Sequence, residues 1–194
     1  MEGPAATAVV VNFNTPELIS NCVKSIRLFY EIPIIVVDGS NKEKHSAMMD
    51  MISGLKNLEV HHLERNMCHG PGMQYGIERT KTKYALLMDS DAAMVKKGFV
   101  ELCVSRMDEL SYGAGLVMNL KFDIRYLHPY CALINMNVAA KYPMPINHGA
   151  PMIRIMKDIK ERRENNLIDI PEIGDFVSHK WKGTRGPGTW PRRW

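Results

Sequence analysis

Four apolar runs, each followed by polar residues and then by a helical pattern, constrain this chain more than any other feature. The runs are residues 7–13 (TAVVVNF), 32–37 (IPIIVV), 58–63 (LEVHHL) and 84–88 (YALLM). β-Branched residues dominate the first two, which favours extended backbone. After the first run, Asn14-Thr15-Pro16-Glu17 places a capping residue, then Pro and an acid, where a helix begins. Leu18, Cys22, Ile26 and Tyr30 follow at helical spacing and form its expected buried stripe. A polar, charged helix is predicted over 42–54. Gly70-Pro71-Gly72 opens a shorter one that runs to Arg79. Four strand–helix alternations predict a doubly wound, right-handed parallel α/β sheet. Each run carries its polar residues at the carboxyl end: Asn12 to Asn14, Asp38 to Asn41, Asn66 to His69, and Asp89 to Asp91. In such a sheet these ends share one edge, which is where ligands bind.

The second half is less regular. Phe99 to Leu110 reads as a helix. Residues 113–122 and 130–136 read as strands, paired antiparallel over the cleft. Pro151 to Glu164 is a predicted helix with a basic exposed face, and Leu167 to Ile170 a short strand. From Phe176 the chain is a Gly-, Pro- and Trp-rich loop or tail. At 194 residues the chain is one domain. No apolar stretch reaches membrane-spanning length, and Met1-Glu2-Gly3-Pro4 does not open a secretory signal. Cys22, Cys68, Cys103 and Cys131 form no CxxC pair, so reduced thiols in a cytoplasmic setting are expected. The net charge of +4 is mild, but residues 180–194 hold Lys180, Lys182, Arg185, Arg192 and Arg193 with no acid. Basic residues are otherwise concentrated on the 151–164 helix, which argues against nucleic acid as a partner. Arg162-Arg163, Lys157 and Lys160 read as a solvated face, with contact to anionic lipid as the alternative.

Asp89-Ser90-Asp91 closes the fourth run. Two carboxylates one residue apart repel unless a cation or protons intervene. Hard oxygen donors of this kind suit Mg2+ or Mn2+, which take phosphate oxygens as further ligands. The triplet therefore reads as a metal–diphosphate site or, equally, as an acidic turn capping the next helix.

Taken together, Asn12-Phe13-Asn14, Asp38-Gly39-Ser40-Asn41, the Asn66 to Gly76 stretch and the DXD triplet Asp89-Ser90-Asp91 resemble, in order and spacing, the GT-A fold glycosyltransferases, and family 2 among them. The matches cover about residues 7–95, leaving about 96–180 for an acceptor-side half and about 181–194 for a basic tail. The resemblance implies a Rossmann-like, mostly parallel sheet flanked by helices, a UDP- or GDP-sugar donor, and Mn2+ or Mg2+. It implies that Asp38 contacts the nucleoside base, that Asp89 faces ribose or donor sugar, and that Asp91 binds the metal. The expected donor set is Asn12, Asn14, Asp38, Asn66, Gly70, Gln74, Asp89, Asp91 and Arg185. The expected metal set is Asp89, Asp91 and His179, since GT-A enzymes often add a late histidine. Lys182-Gly183-Thr184-Arg185-Gly186 reads as a loop closing over the diphosphate. Tyr126, His128 and Tyr130 are expected in a cleft-facing loop near the acceptor. Trp181, Trp190 and Trp194 either pack the tail or, for one of them, line the acceptor site.

The chain departs from the family pattern in three places. The second turn lacks the common double acid. Gln74 stands where Asn is usual. Asn147-His148-Gly149-Ala150-Pro151 lies where inverting members carry an acidic pair. A base for the acceptor hydroxyl would then be His148, Asp158 or Asp175, or the reaction is retaining and needs none. The acceptor class stays open among saccharide, lipid-linked and small-molecule forms. A nucleotidyltransferase is the competing enzyme, although the loop after the first strand lacks the Gly and basic residues that class uses. A non-catalytic nucleotide-binding relative is the third reading.

Overall fold

The computed structural model describes residues 5–63, 65–147 and 149–180. In chain order the elements are β1 (Ala6–Asn12), α1 (Pro16–Phe29), β2 (Ile34–Asp38), α2 (Lys42–Ile52), β3 (Leu58–His62), α3 (His69–Ile77) and β4 (Tyr84–Asp89). They continue with β5 (Ala92–Met94), α4 (Phe99–Arg106), β6 (Gly113–Leu120), β7 (Ile124–Asn135), the single turn α5 (Met136–Ala139), α6 (Ile153–Glu161), β8 (Leu167–Asp169) and β9 (Val177–His179).

The main sheet has seven strands in the order β3-β2-β1-β4-β7-β6-β8. β3, β2, β1 and β4 are mutually parallel, and β6 is parallel to β8. β7 runs antiparallel to both neighbours. From β1 the chain winds outward to β2 and β3, then returns to place β4 on the other side of β1. That reversal opens a crevice at the carboxyl ends of β1 and β4.

Alternation along β1 divides the core in two. Ala6, Ala8 and Val10 face α1, α2 and α4, through Ile19, Val23, Ile26, Met48, Ile52 and Phe99. Val9 faces the other layer, with Met73 and Ile77 of α3 and Ile155, Met156 and Ile159 of α6. A sheet covered on both faces requires near-continuous apolar strands, as the first, second and fourth runs show.

Most of the predicted elements are present, with shifted ends. α1 starts at Pro16 as the Pro and acid require, but Thr15 does not cap it with its side chain. The Thr15 hydroxyl instead donates to Asn12 Oδ1 at 2.6 Å. Leu18, expected in the buried stripe, is only half-buried, and Ile19 takes the core position. α4 ends at Arg106 rather than Leu110, because Asp108 turns the chain by accepting from Leu110 N and from Ser111 Oγ. The β6–β7 pair does not lie over the cleft as expected: it extends the main sheet, with β7 hydrogen-bonded to β4. The stretch from Phe176 is not all loop either, since Val177–His179 forms β9 and pairs antiparallel with β5. Residues 181–194 and the expectations placed on them lie outside the described residues.

α3 sits close against β1 because its inner face is glycine. A Cβ at Gly72 would lie 2.8 Å from Val11 Cγ1, and one at Gly76 would lie 2.3 Å from Val9 Cγ1. Gly76→Ala should therefore destabilise the fold by about 1–3 kcal/mol through overpacking, despite the better helix propensity of alanine. Gly54→Ala, where a Cβ meets nothing within 4 Å, should leave the urea midpoint near the wild-type value. Equal midpoints for the two variants would show that α3 does not need this close approach.

Candidate active site

Sheet register brings the polar strand ends together. Asn12 pairs with Asp38 across β1 and β2, and Val11 pairs with Asp89 across β1 and β4. The three residues therefore stand side by side at the mouth of the crevice.

Asp38 is fully buried. Its Oδ1 accepts from Asn12 Nδ2 at 2.9 Å, from Ser40 N at 3.2 Å and from Ser40 Oγ at 2.5 Å. Its Oδ2 meets His45 Nδ1 at 2.7 Å. Asn14 N donates to Ser40 Oγ at 2.7 Å, and Asn14 Oδ1 accepts from Asn41 N at 3.0 Å. The His45 ring stacks on His62 with centroids 3.7 Å apart and planes 4° apart. His62 Nε2 in turn donates to the Ser40 carbonyl at 2.9 Å. A buried carboxylate needs such a set of partners to replace the water it has lost. Its Oδ1 is thus engaged by the end of β1 and the turn after β2, and its Oδ2 by His45 of α2.

The acids that follow β4 are arranged differently. Asp89, Asp91 and His179 each offer a ligand atom, and these atoms lie within 4.8 Å of one another. His179 Nε2 is 3.0 Å from Asp91 Oδ1 and 3.8 Å from Asp89 Oδ2. The short β5–β9 ribbon makes this possible: Ala92 pairs with His179, and Lys180 N donates to the Asp91 carbonyl at 3.0 Å. Two carboxylates and one imidazole form a donor set suited to Mn2+, and to Mg2+ through the oxygens.

Further histidines surround the pair of acids. His69, at the start of α3, places Nε2 3.2 Å from Asp89 Oδ1. The His128 and His179 ring centroids are 6.4 Å apart, and Tyr130 stacks on His179 at 4.6 Å with planes 10° apart. Burial opposes the charge on Asp89, but His69, His128 and His179 outweigh it and hold the carboxyl below its ordinary range. Burial pushes the His128 imidazole down, with Asp89 pulling the other way.

His128 and Tyr130 reach this centre because β7 is bulged. Gly115 pairs with Ala132, but the next pair is Val117 with Leu127. The surplus residues on β7 fall at His128-Pro129-Tyr130. Proline cannot donate to a ladder and is at home in such an interruption. Tyr130 N donates to His128 Nδ1 at 3.2 Å and tightens it. The expected cleft-facing loop is therefore a bulged strand that brings His128 and Tyr130 to the centre, while Tyr126 pairs with Met118 and is buried in the core.

The remaining expected residues are scattered. Asn66 is exposed, and its Oδ1 accepts from Cys68 N at 2.8 Å. Gly70 lies under the passing chain: a Cβ there would be 2.4 Å from the Asn147 carbonyl oxygen. Gln74 donates to Glu78 at 2.8 Å along α3. Asp158 lies on α6 in an ion pair with Arg162 at 3.0 Å. Asp175 is exposed at the end of a short 3-10 helix, Pro171–Asp175. The group formed by Asp89 and Asp91 draws in His179, not Asp158 or Asp175. His148 and Arg185 lie outside the described residues. Sequence reading did not single out His45, His62 or His69. The available signal was position: His62 ends β3, while His45 and His69 fall in the first turns of the helices that follow β2 and β3.

This architecture has known counterparts. A mannosyltransferase from Pyrobaculum calidifontis, PcManGT, solved with GDP-Man and Mn2+, superposes with a TM-score of 0.69 at 14% identity, covering 88% of this chain and 55% of that one. S. aureus TarS in complex with UDP-GlcNAc gives a TM-score of 0.63 at 14% identity, covering 86% of this chain and 56% of that one. GalNAc-T7 with UDP, GalNAc and Mn2+ gives 0.71 at 13% identity, covering 91% of this chain and 44% of that one. The chain thus spans about half the length of these structures. No curated protein matches it by sequence. The family model for glycosyl transferase family 2 matches residues 7–118, from β1 into β6 and through both acids of the DXD triplet, and the chain belongs to that family.

Proposed function

We propose that the chain transfers a glycosyl unit from a UDP- or GDP-sugar to an acceptor, with a divalent ion held by Asp89, Asp91 and His179. The observation that carries this is the convergence of those three side chains at the carboxyl edge of β4, beside the crevice between β1 and β4. Support comes from similar structures that hold GDP-Man with Mn2+, or UDP with Mn2+. When bound, such an ion offsets the charge that grows on the departing nucleoside diphosphate.

The chain's own residues have distinct tasks in this reading. Asp91 and His179 fix each other's orientation across the β5–β9 ribbon. Asp89 joins them from the end of β4 and, through its backbone carbonyl, is tied to Cys22 Sγ at 3.5 Å. Asp38 supports the nucleoside pocket by fixing the turns around Asn12, Asn14 and Ser40, rather than by offering a free oxygen to the base. Asn66 and Gly70 shape the rim opposite, where the chain at Asn147 crosses α3. Asp158 is engaged by Arg162, and Asp175 stands apart from the acid pair. A base for the acceptor hydroxyl is needed only in an inverting reaction, and His148, the remaining candidate, lies outside the described residues.

Calorimetric titration with UDP and GDP, with and without Mn2+, tests the assignment. Nucleotide affinity should rise with Mn2+. Asp91→Ala should abolish that rise, and His179→Ala should reduce it by roughly tenfold to a hundredfold. Affinity indifferent to Mn2+ in the wild type would overturn the metal assignment. Release of pyrophosphate from a nucleoside triphosphate and a sugar phosphate would instead identify a nucleotidyltransferase.

Thiol labelling gives a second check. Cys22, Cys103 and Cys131 are buried, and burial raises all three thiols, Cys103 to about 12. Cys68 is exposed between the donor-side loop and α3. The native protein should expose a single fast-reacting thiol, removed by Cys68→Ser and shielded by nucleotide with Mn2+. Unchanged labelling at saturating nucleotide would place the donor elsewhere.

A further inference from the structure

The hairpin joining β6 and β7 carries features that the transfer chemistry does not use. Beyond the bulge, Val117 to Leu120 pair with Ile124 to Leu127. At about 3.3 Å per residue, this stretch reaches roughly 13 Å past the bulge. Met88 at the end of β4 pairs with Cys131. The hairpin therefore projects from the same sheet edge that carries Asp89.

Its tip is apolar and exposed. Phe122 is 84% exposed and Met118 39%. Met118 stands exposed on β6 and Phe122 at the tip, in the 3-10 turn that follows the strand, while Leu120 between them is half-buried against the core. Phe122 has φ 62° and Asp123 φ 51°, both in the left-handed region that aromatic residues seldom enter. Lys160 of α6 donates to the Phe122 carbonyl and ties the tip to that helix.

The ground around the tip is cationic. A shallow cavity of about 560 Å3 is lined by Phe122, Ile124, Lys157, Lys160, Glu161 and Arg163. Lys121 adjoins it in sequence and is exposed. Of the nearby acids, Asp123 and Glu161 are exposed, while the Glu164 carboxylate accepts from the Tyr142 hydroxyl and from Asn166 Nδ2. No helix of the described residues is long and apolar enough to cross a membrane.

We propose that the hairpin tip and the basic face of α6 dock on an anionic lipid bilayer, so that the cleft meets an acceptor carried in that bilayer. The Phe122 ring and Met118 enter the boundary between head groups and acyl chains, and Lys157, Lys160 and Arg163 meet lipid phosphates. Nucleic acid would satisfy the cations but gains nothing from the exposed aliphatic side chain of Met118. The lipid-linked acceptor rests on the transferase reading above; the docking itself does not.

Vesicle co-sedimentation tests this with the full chain. Phosphatidylcholine vesicles containing phosphatidylserine should retain the protein, phosphatidylcholine alone should not, and added salt should release it. Phe122→Ser and the pair Lys157→Glu with Arg163→Glu should each lower the partition coefficient by about tenfold or more. Calorimetric binding of UDP or GDP with Mn2+ should be unchanged in these variants, which shows that they are folded. Equal binding to neutral and anionic vesicles, or wild-type partitioning by both variants, would overturn the proposal, as would capture of single-stranded RNA in place of vesicles. Vesicle binding without any nucleotide binding would leave the docking standing and remove the transferase reading.

Discussion

Two carboxylates one residue apart, nearly withdrawn from water, repel each other, and the cleft is organised around that repulsion. The side chains of Asp89 and Asp91 are 18% and 7% exposed. In that setting a charge needs a nearby partner of opposite sign. His69 comes from the start of one helix, His128 from a bulged strand, and His179 from a ribbon formed late in the chain. The same repulsion that calls for histidines makes a divalent cation the strongest single remedy.

Asp38 ends an adjacent strand and meets a different fate. Its neighbours supply hydrogen-bond donors instead of further acids, so its charge is consumed by the architecture. The three aspartates at these strand ends are thus engaged differently: Asp89 and Asp91 lie beside His179, while Asp38 is bonded to Asn12, Ser40 and His45. A sequence shows the aspartates alike; the distinction lies in what Ser40 and His45 bring against one and Asp91 and His179 against the other.

The first half of the fold was readable because each element there is signalled locally. The alternation of apolar run and helical spacing specifies a parallel sheet, and the Pro16 and Gly70 boundaries specify where helices begin. The DXD acids and their place at a strand end were equally plain. What was not readable depends on contacts distant in sequence. β5 and β9 are each three residues long, too short for periodicity, and become strands only by pairing with one another. The β7 bulge shows only as a proline inside an apolar stretch, a signal that also fits a loop. His69 showed only as part of the polar Asn66–His69 stretch, since its place beside Asp89 comes from the return of the chain through α3 to β4. The hydrogen bonds that occupy Asp38 likewise come from three separate places: the end of β1, the turn after β2 and helix α2.

The ribbon of β5 and β9 has an implication for assembly. The stretch that matches the family, residues 7–118, contains both acids but not His179. The centre becomes complete only when the chain folds back and adds β9 beside β5. The three side chains therefore meet only on a polypeptide whose strand β9 has closed onto β5.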